Sequence, residues 1–245
     1  MEPNTAHGTL HVVGVGPGDP ELLTVKAAKT LKAAKVIAHF CKHDKKGHAR
    51  TIAEPYLAPT VRELRLAYPF TIEVAVEDPE YQRGIQRFYD ACAEQLAGVL
   101  AQGQDVVLLC EGEPFLYGSA MYLFDRLKER FQAVVVPGIA AMNGCWSQAQ
   151  LPMTHGDDVL CVLPATLPEA DLTQWLKQAD AAVLMKIGRN MPKVRRALAQ
   201  SGRMPEARYV ERGTQANGFS QPFSDCGDTA PYFSLVLVPG RKGAR

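Results

Sequence analysis

The first 136 residues alternate short apolar runs, rich in β-branched residues, with segments whose apolar residues recur at helical spacing. Runs of the first kind are typical of strands buried on both faces, and the segments between them are typical of connecting helices. The alternation therefore predicts a mostly parallel sheet covered by helices on both sides. The predicted strands are residues 10–15, 35–40, 61–66, 105–110 and 133–136, and the predicted helices are residues 21–34, 79–102 and 117–131.

The second half of the chain is less regular. Its predicted helices are residues 138–150, 168–178 and 191–201, and its predicted strands are residues 158–163, 180–187, 207–211 and 232–238. Residues 213–231 are rich in Gly, Ser, Thr, Asp and Pro, which predicts a long loop. Because Pro137-Gly138 stops the last strand of the regular half, we predict two domains, residues 1–137 and residues 138–245.

Composition narrows the class of protein. The chain has 245 residues, 47% of them hydrophobic, and its 27 Lys and Arg against 26 Asp and Glu leave a net charge of +1. A chain this balanced is not expected to bind nucleic acid or an anionic membrane over its whole surface. No apolar run approaches the roughly 20 residues of a membrane helix. The opening residues, MEPNTAHG, have no apolar core of a secretory signal, so we expect a cytoplasmic protein.

Six cysteines are scattered along the chain, and no two of them form a Cys-x-x-Cys pair. This spacing argues against a disulfide framework and against a structural zinc site, so the sequence predicts no metal centre.

The first loop that could carry chemistry runs from Gly14 to Pro20, with the sequence GVGPGDP, directly after the first predicted strand. It is not the dinucleotide-binding pattern GxGxxG, and Pro17 removes one backbone amide. Glycine at the end of a strand lets a ligand approach the backbone closely, at the edge where open α/β sheets bind their ligands. A plain turn from strand to helix, begun by Asp19 and Pro20, explains this loop equally well.

The second such loop runs from Glu111 to Ser119 and follows the fourth predicted strand. Glu111 and Glu113 flank Gly112, and this pair of carboxylates could accept hydroxyl or amine groups of a ligand or bind a metal. The alternative is a helix entry whose acids lie near the positive end of the helix dipole.

Taken together, the two loops resemble the tetrapyrrole methylases, enzymes that use S-adenosylmethionine to methylate corrin and sirohaem precursors. Three blocks carry the resemblance, which spans residues 8–240: Val13 to Thr24, Glu111 to Pro114 with Tyr117-Gly118-Ser119, and Val135 to Ala141. The family commonly has Asp at the position of Glu113, and the extra methylene displaces the carboxylate by about 1.5 Å. This departure leaves the loop backbone intact but moves the carboxylate of Glu113 away from the position of the family's Asp.

The resemblance implies two α/β domains, the first with a mostly parallel sheet and the second with a mixed sheet, and S-adenosylmethionine in the cleft between them. It further implies homodimers and a small-molecule tetrapyrrole substrate, while the near-neutral charge and the lack of a long apolar run argue against a nucleic-acid or membrane partner. The implied cofactor-binding residues are Pro17, Glu111, Gly112, Glu113, Leu116, Ala140, Ala141, Ile187 and Gly213. The sulfonium methyl group is already activated, so no nucleophilic side chain is required, and the sequence does not identify a catalytic residue. His39, His43, His48 and His155 are candidates for a base by side-chain type only.

Within the family, three further blocks are similar to the branch that methylates precorrin-2 at C20, giving precorrin-3A in cobalamin biosynthesis. They are Leu151 to Leu167, Lys186 to Asn190 and Glu211 to Thr214. Other substrates stay open, namely cobalt-factor II, uroporphyrinogen III and a later corrin intermediate. An RNA ribose methyltransferase on the same fold is disfavoured by the near-neutral charge. A regulatory module that binds S-adenosylmethionine without turnover is the alternative outside the enzymes.

A tetrapyrrole substrate carries many carboxylates, so its cleft is expected to contain basic side chains. The densest basic run in the chain contains Lys42, Lys45, Lys46 and Arg50, with only Asp44 opposing them. We predict that this run binds the substrate; a solvated basic loop is the alternative.

Overall fold

A computed structural model of the chain describes residues 7–69 and 79–242. They divide into two compact units, and the division falls between Ala140 and Ala141. The domain boundary after Pro137 stays a prediction, and residues 1–6 of the opening segment MEPNTAHG lie outside the described ranges. No described helix is long and apolar enough to cross a membrane.

The first unit is built on a five-stranded sheet in the order β3-β2-β4-β1-β5. All neighbouring strands are parallel, which confirms the predicted sheet type. The strands are β1 (Leu10–Gly14), β2 (Val36–Cys41), β3 (Arg62–Ala67), β4 (Val106–Cys110) and β5 (Ala133–Val136). The helices are α1 (Val25–Ala33), α2 (His48–Ala53), α3 (Pro79–Leu100) and α4 (Ala120–Leu127).

The central strand β4 is buried along its whole length because helices cover both faces of the sheet. Successive side chains of a strand point to opposite faces. Accordingly, Leu108 packs in one apolar cluster with Leu96 of α3, and Leu109 packs in a second cluster with Leu31 of α1. The continuous apolar runs in the sequence therefore reflect burial on both faces.

The start of α1 differs from the prediction of one helix over residues 21–34. The structure has a separate 3-10 turn, Pro20–Leu22, and α1 begins only at Val25. Thr24 has extended backbone angles, and its hydroxyl accepts a hydrogen bond from the N–H of Ala27 at 3.1 Å. This side-chain cap starts a new helix and interrupts the apolar periodicity.

The second unit has a five-stranded mixed sheet in the order β6-β7-β10-β8-β9. Only β6 and β7 pair in parallel, and the three other pairs are antiparallel. The strands are β6 (Leu160–Pro164), β7 (Ala181–Met185), β8 (Arg208–Glu211), β9 (Phe219–Pro222) and β10 (Ser234–Val238), and the helices are α5 (Ala141–Gln148), α6 (Glu169–Gln178) and α7 (Met191–Ser201). The mixed sheet expected from the resemblance is confirmed.

The prediction of one long loop over residues 213–231 is wrong. Within it, β9 pairs antiparallel with β8, and a 3-10 turn follows in which Phe223 is fully buried. The strand is polar and ends in Pro222, a residue that sheets tolerate at an edge. Its intrinsic strand preference is weak, so the ladder to β8 and the burial of Phe223 decide its conformation.

The six cysteines are free thiols. Burial raises the pKa of the Cys92 thiol to about 11 and the pKa of the Cys110 and Cys145 thiols to about 12. These three side chains are therefore protonated at neutral pH and act as small apolar residues.

Candidate functional site

The two glycine loops predicted from the sequence lie side by side in the first unit. Because all strands of its sheet are parallel, the segments that follow β1, β4 and β5 leave from the same edge. The N–H of Val15 donates to the carbonyl of Cys110 at 2.9 Å, and the N–H of Gly112 donates to the carbonyl of Gly16 at 2.8 Å. Backbone hydrogen bonds thus continue beyond the parallel pairing of β1 with β4, and Gly16 and Gly112 form an isolated antiparallel bridge.

Three glycines bring the backbones of these loops into direct contact. A β-carbon added at Gly138 would lie 2.1 Å from the carbonyl oxygen of Gly112, and one added at Gly14 would lie 2.6 Å from the same oxygen. Gly112 itself has a φ of 64°, in the left-handed region that favours glycine. Gly14 and Gly138 were not among the predicted site residues, although a glycine at each of two strand ends is a signal for such an approach.

Glu113 uses both carboxylate oxygens within the first unit. Its Oε2 accepts a hydrogen bond from the N–H of Gly138 at 3.0 Å, in the loop after β5. Its Oε1 accepts one from the N–H of Phe115 at 3.1 Å, in its own loop. The carboxylate therefore joins two loops.

Glu111 reaches in another direction from the same turn. Its carboxylate accepts a hydrogen bond from the backbone N–H of Ala49, in the first turn of α2. The residue that caps this helix is Gly47, which has no side chain and so provides no side-chain cap. Burial raises the pKa of the Glu111 carboxyl from 4.5 to about 7, and the hydrogen bond from Ala49 opposes part of this rise.

The other predicted cofactor residues belong to both units. Pro17 and Leu116 are partly exposed in the two glycine loops, and Ala140 is buried at the end of the first unit.

In the second unit, Ala141 begins α5, and the side chain of Ile187 is only 1% exposed within the apolar core beside α6 and α7. Gly213 is buried, and a β-carbon there would lie 2.5 Å from Sγ of Cys145. That the two sets surround one ligand stays a prediction.

The second unit has strained backbone at the ends of two strands. β7 and β8 are both antiparallel to β10, so they run in the same direction and end at the same edge of the sheet. Lys186 follows β7 with a φ of 57°, and Arg212 and Thr214 follow β8 with φ values of 47° and 68°. Such conformations cost about 1–3 kcal/mol each and cluster at functional sites, and no sequence signal predicts them.

The basic run follows β2 and leaves from the same edge as the glycine loops, as predicted. The interpretation that only Asp44 opposes it is wrong. Nζ of Lys46 lies 2.6 Å from a carboxylate oxygen of Glu54, and a guanidinium nitrogen of Arg50 lies 2.6 Å from Glu63. The 3-10 turn after α2 and the strand β3 bring these two acids in from further along the chain.

Lys42 and Lys45 differ from these two cations. Both side chains are exposed, and no carboxylate of the described residues pairs with either of them. Arg65 holds the backbone between them, donating to the carbonyls of His43 at 3.0 Å and Lys45 at 3.3 Å. The basic loop is therefore anchored while these two ammonium groups stay available.

A tyrosine cluster borders the second glycine loop. The hydroxyl of Tyr68, directly after β3, donates to Oγ of Ser119 at 2.6 Å, and the hydroxyl of Tyr89 lies 3.3 Å from the same atom. The ring of Tyr68 stacks on Phe40 with centroids 5.4 Å apart. These contacts hold the entry to α4 against the ends of β2 and β3.

The four histidines considered as candidate bases have different surroundings. His39 is 1% exposed, with Nε2 3.4 Å from a carboxylate oxygen of Glu63, and burial lowers its pKa. His43 is exposed beside Asp44, and burial lowers the pKa of His48. Nδ1 of His155 lies 3.3 Å from the carbonyl of Gly240 in the second unit. No group of His, Cys, Asp and Glu side chains in the described part of the chain could hold a metal ion.

Relatives of known name match nearly the whole chain. Precorrin-2 C(20)-methyltransferase from Sinorhizobium sp is 53% identical over 236 residues, which cover 96% of each chain. Cobalt-precorrin-2 C(20)-methyltransferase from Salmonella typhimurium is 25% identical over 95% of this chain and 96% of its own.

A solved structure has the same fold. Uroporphyrin-III C-methyltransferase from Thermus thermophilus, complexed with S-adenyl homocysteine, superposes with a TM-score of 0.65 at 20% identity, covering 96% of this chain and 92% of its own. The family described as Tetrapyrrole (Corrin/Porphyrin) Methylases matches residues 9–219. This match agrees with the glycine loops at one edge of the parallel sheet and with the mixed second sheet. The chain therefore belongs to the tetrapyrrole methylase family.

Proposed function

We propose that this chain transfers the methyl group of S-adenosylmethionine to C20 of precorrin-2, the step that gives precorrin-3A in cobalamin biosynthesis. The 53% identity to a precorrin-2 C(20)-methyltransferase over 96% of both chains carries this proposal. The cobalt-containing substrate is the second candidate, supported by the 25% identity to the Salmonella enzyme. A cytoplasmic location and a homodimer stay predictions.

The reaction requires little of the protein beyond positioning the bridge carbon against the methyl group. The bridge carbon attacks the sulfonium methyl group in line, the C–S bond breaks, and neutral S-adenosylhomocysteine and a proton leave. Holding the carbon about 3–3.5 Å from the methyl group accounts for much of the rate. Loops whose backbones meet without intervening side chains suit this task, because they present a fixed surface to the cofactor.

The decisive experiment incubates the protein with precorrin-2 and S-adenosylmethionine labelled with carbon-13 in its methyl group. We expect S-adenosylhomocysteine and a product heavier by one labelled methylene unit, with the label on C20 by carbon-13 NMR. A label on another carbon would contradict the assignment. Faster turnover of the cobalt-loaded substrate would favour the second candidate. Tight binding of S-adenosylmethionine by calorimetry without turnover of any tetrapyrrole would identify a regulatory module.

The basic loop supplies a test of substrate capture. Reversing both available charges, Lys42→Glu with Lys45→Glu, should raise KM for the tetrapyrrole about tenfold, since two exposed contacts worth about 0.7 kcal/mol each sum to about 1.4 kcal/mol. Affinity for S-adenosylmethionine should stay unchanged. The effect should shrink as salt rises, because exposed charges are screened beyond about 10 Å at about 0.1 M.

A control with the same change in net charge is available at the opposite edge of the sheet. Lys32 lies in the last turn of α1, and Lys35 directly precedes β2, so both lie near the amino ends of the strands. Lys32→Glu with Lys35→Glu should leave KM near its original value. An equal rise in KM for both double variants would assign the effect to net charge and not to the basic loop.

A further inference from the structure

The short turn from Glu111 to Pro114 is connected to three other segments of the first unit. Gly112 donates to Gly16 in the loop after β1, Glu111 accepts from Ala49 in α2, and Glu113 accepts from Gly138 in the loop after β5. Two of the three links use the carboxylates that the sequence singled out as possible ligand-binding groups.

We propose that Glu113 is a positioning residue, whose carboxylate ties the loop after β4 to the loop after β5 and does not itself recognise the cofactor. Both oxygens are engaged by backbone amides, at 3.0 Å from Gly138 and 3.1 Å from Phe115. Hydrogen bonds between an ionised carboxylate and N–H groups are stronger than neutral ones, so this link resists exchange for a ligand. The role at the cofactor rests on the proposed function.

The backbone around Gly138 explains why such a link is needed. Gly14, Gly112 and Gly138 approach one another backbone against backbone, so at this point of contact the register of the loops depends on backbone and polar contacts. Within the described part of the chain, one further hydrogen bond reaches this loop, from Oγ1 of Thr24 to the carbonyl of Pro137, and it is long at 3.5 Å. The carboxylate of Glu113 is therefore the strong polar contact that holds Gly138 beside Gly112.

Side-chain length adds a second line of support. An Asp at this position would bring its carboxylate about 1.5 Å short of the place that Glu113 reaches. The bond to Gly138 at 3.0 Å would then be lost unless the loop moved. The Glu at this position is thus matched to the gap between the two loops of this chain.

The test uses the ligand-free protein, where a residue that only contacts cofactor has no effect. In Glu113→Gln, the amide oxygen can accept from one backbone N–H, while the NH2 group faces the other donor. We expect hydrogen exchange, followed by NMR, to become about tenfold faster at the amide of Gly138 or of Phe115. The reason is that one hydrogen bond to a charged carboxylate is lost. Glu113→Asp should accelerate exchange at Gly138 in particular.

The matched control is Glu129→Gln, which changes an exposed carboxylate beyond α4 in the same way and should leave both amides unchanged. Calorimetry with S-adenosylhomocysteine should show weaker binding by the Glu113 variants, with KM for the tetrapyrrole less affected. Weaker cofactor binding with unchanged exchange at both amides would overturn the proposal, because Glu113 would then contact the ligand directly. Exchange is measured without ligand, so it tests the link even if the proposed reaction is wrong.

Discussion

Gly138→Ala is expected to lower the free energy of unfolding by about 3 kcal/mol, at the upper end of the usual cost of overpacking. The added β-carbon would lie 2.1 Å from the carbonyl oxygen of Gly112 and 2.9 Å from Cα of Gly14. Both neighbours are backbone atoms, so no side chain can rotate away, and the loops must separate. We expect binding of S-adenosylhomocysteine to be lost as well.

Urea unfolding measures the stability change, and Gly98→Ala is the matched control. Gly98 is exposed in α3, and an added β-carbon there meets no atom within 4 Å. Because alanine favours helix over glycine, this variant should gain about 0.5–1 kcal/mol. The same chemical change should therefore act in opposite directions at the two positions. A stability of Gly138→Ala within about 0.5 kcal/mol of the parent protein would contradict the close contact of the three loops.

Glu111→Gln is expected to make the protein more stable at pH 8 while leaving its stability at pH 4.5 nearly unchanged. The pKa of Glu111 rises from 4.5 to about 7 in the folded state. The folded protein thus binds more protons than the unfolded chain between these values, and stability is lost as pH rises through them. The full shift corresponds to about 3 kcal/mol, and because the side chain keeps some solvent contact we expect about 1–2 kcal/mol.

Glutamine suits this test because its amide oxygen can still accept the N–H of Ala49, so only the buried charge is removed. Urea unfolding of parent and variant from pH 4.5 to pH 8 gives the difference directly. The lowered pKa values of His39 and His48 reduce stability below about pH 6.5 in both proteins, so they cancel in the difference. A stability difference between the parent and Glu111→Gln that stays constant from pH 4.5 to pH 8 would contradict the raised pKa.

Local patterns were sufficient for most of the helices and strands. The long helix predicted over residues 79–102 is α3, and its predicted apolar face, which includes Tyr89, Cys92 and Leu96, packs in the core of the first unit. Such segments are predictable because burial of one face imposes a period that can be read along the chain. The strand β9 was missed because its four residues have little pattern of their own and take their conformation from the pairing with β8.

The partners of charged side chains were decided only by tertiary structure. Glu113 accepts from an amide 25 residues away, and Arg50 pairs with Glu63 through the placement of β3 beside β2. The sequence by itself determined the sheet type, the position of the glycine loops and the family, because these depend on local periodicity and on contiguous motifs. It could not decide whether the carboxylates of the second loop face a ligand or the backbone. That choice depends on distances between strands and loops, which arise only when the sheet is assembled.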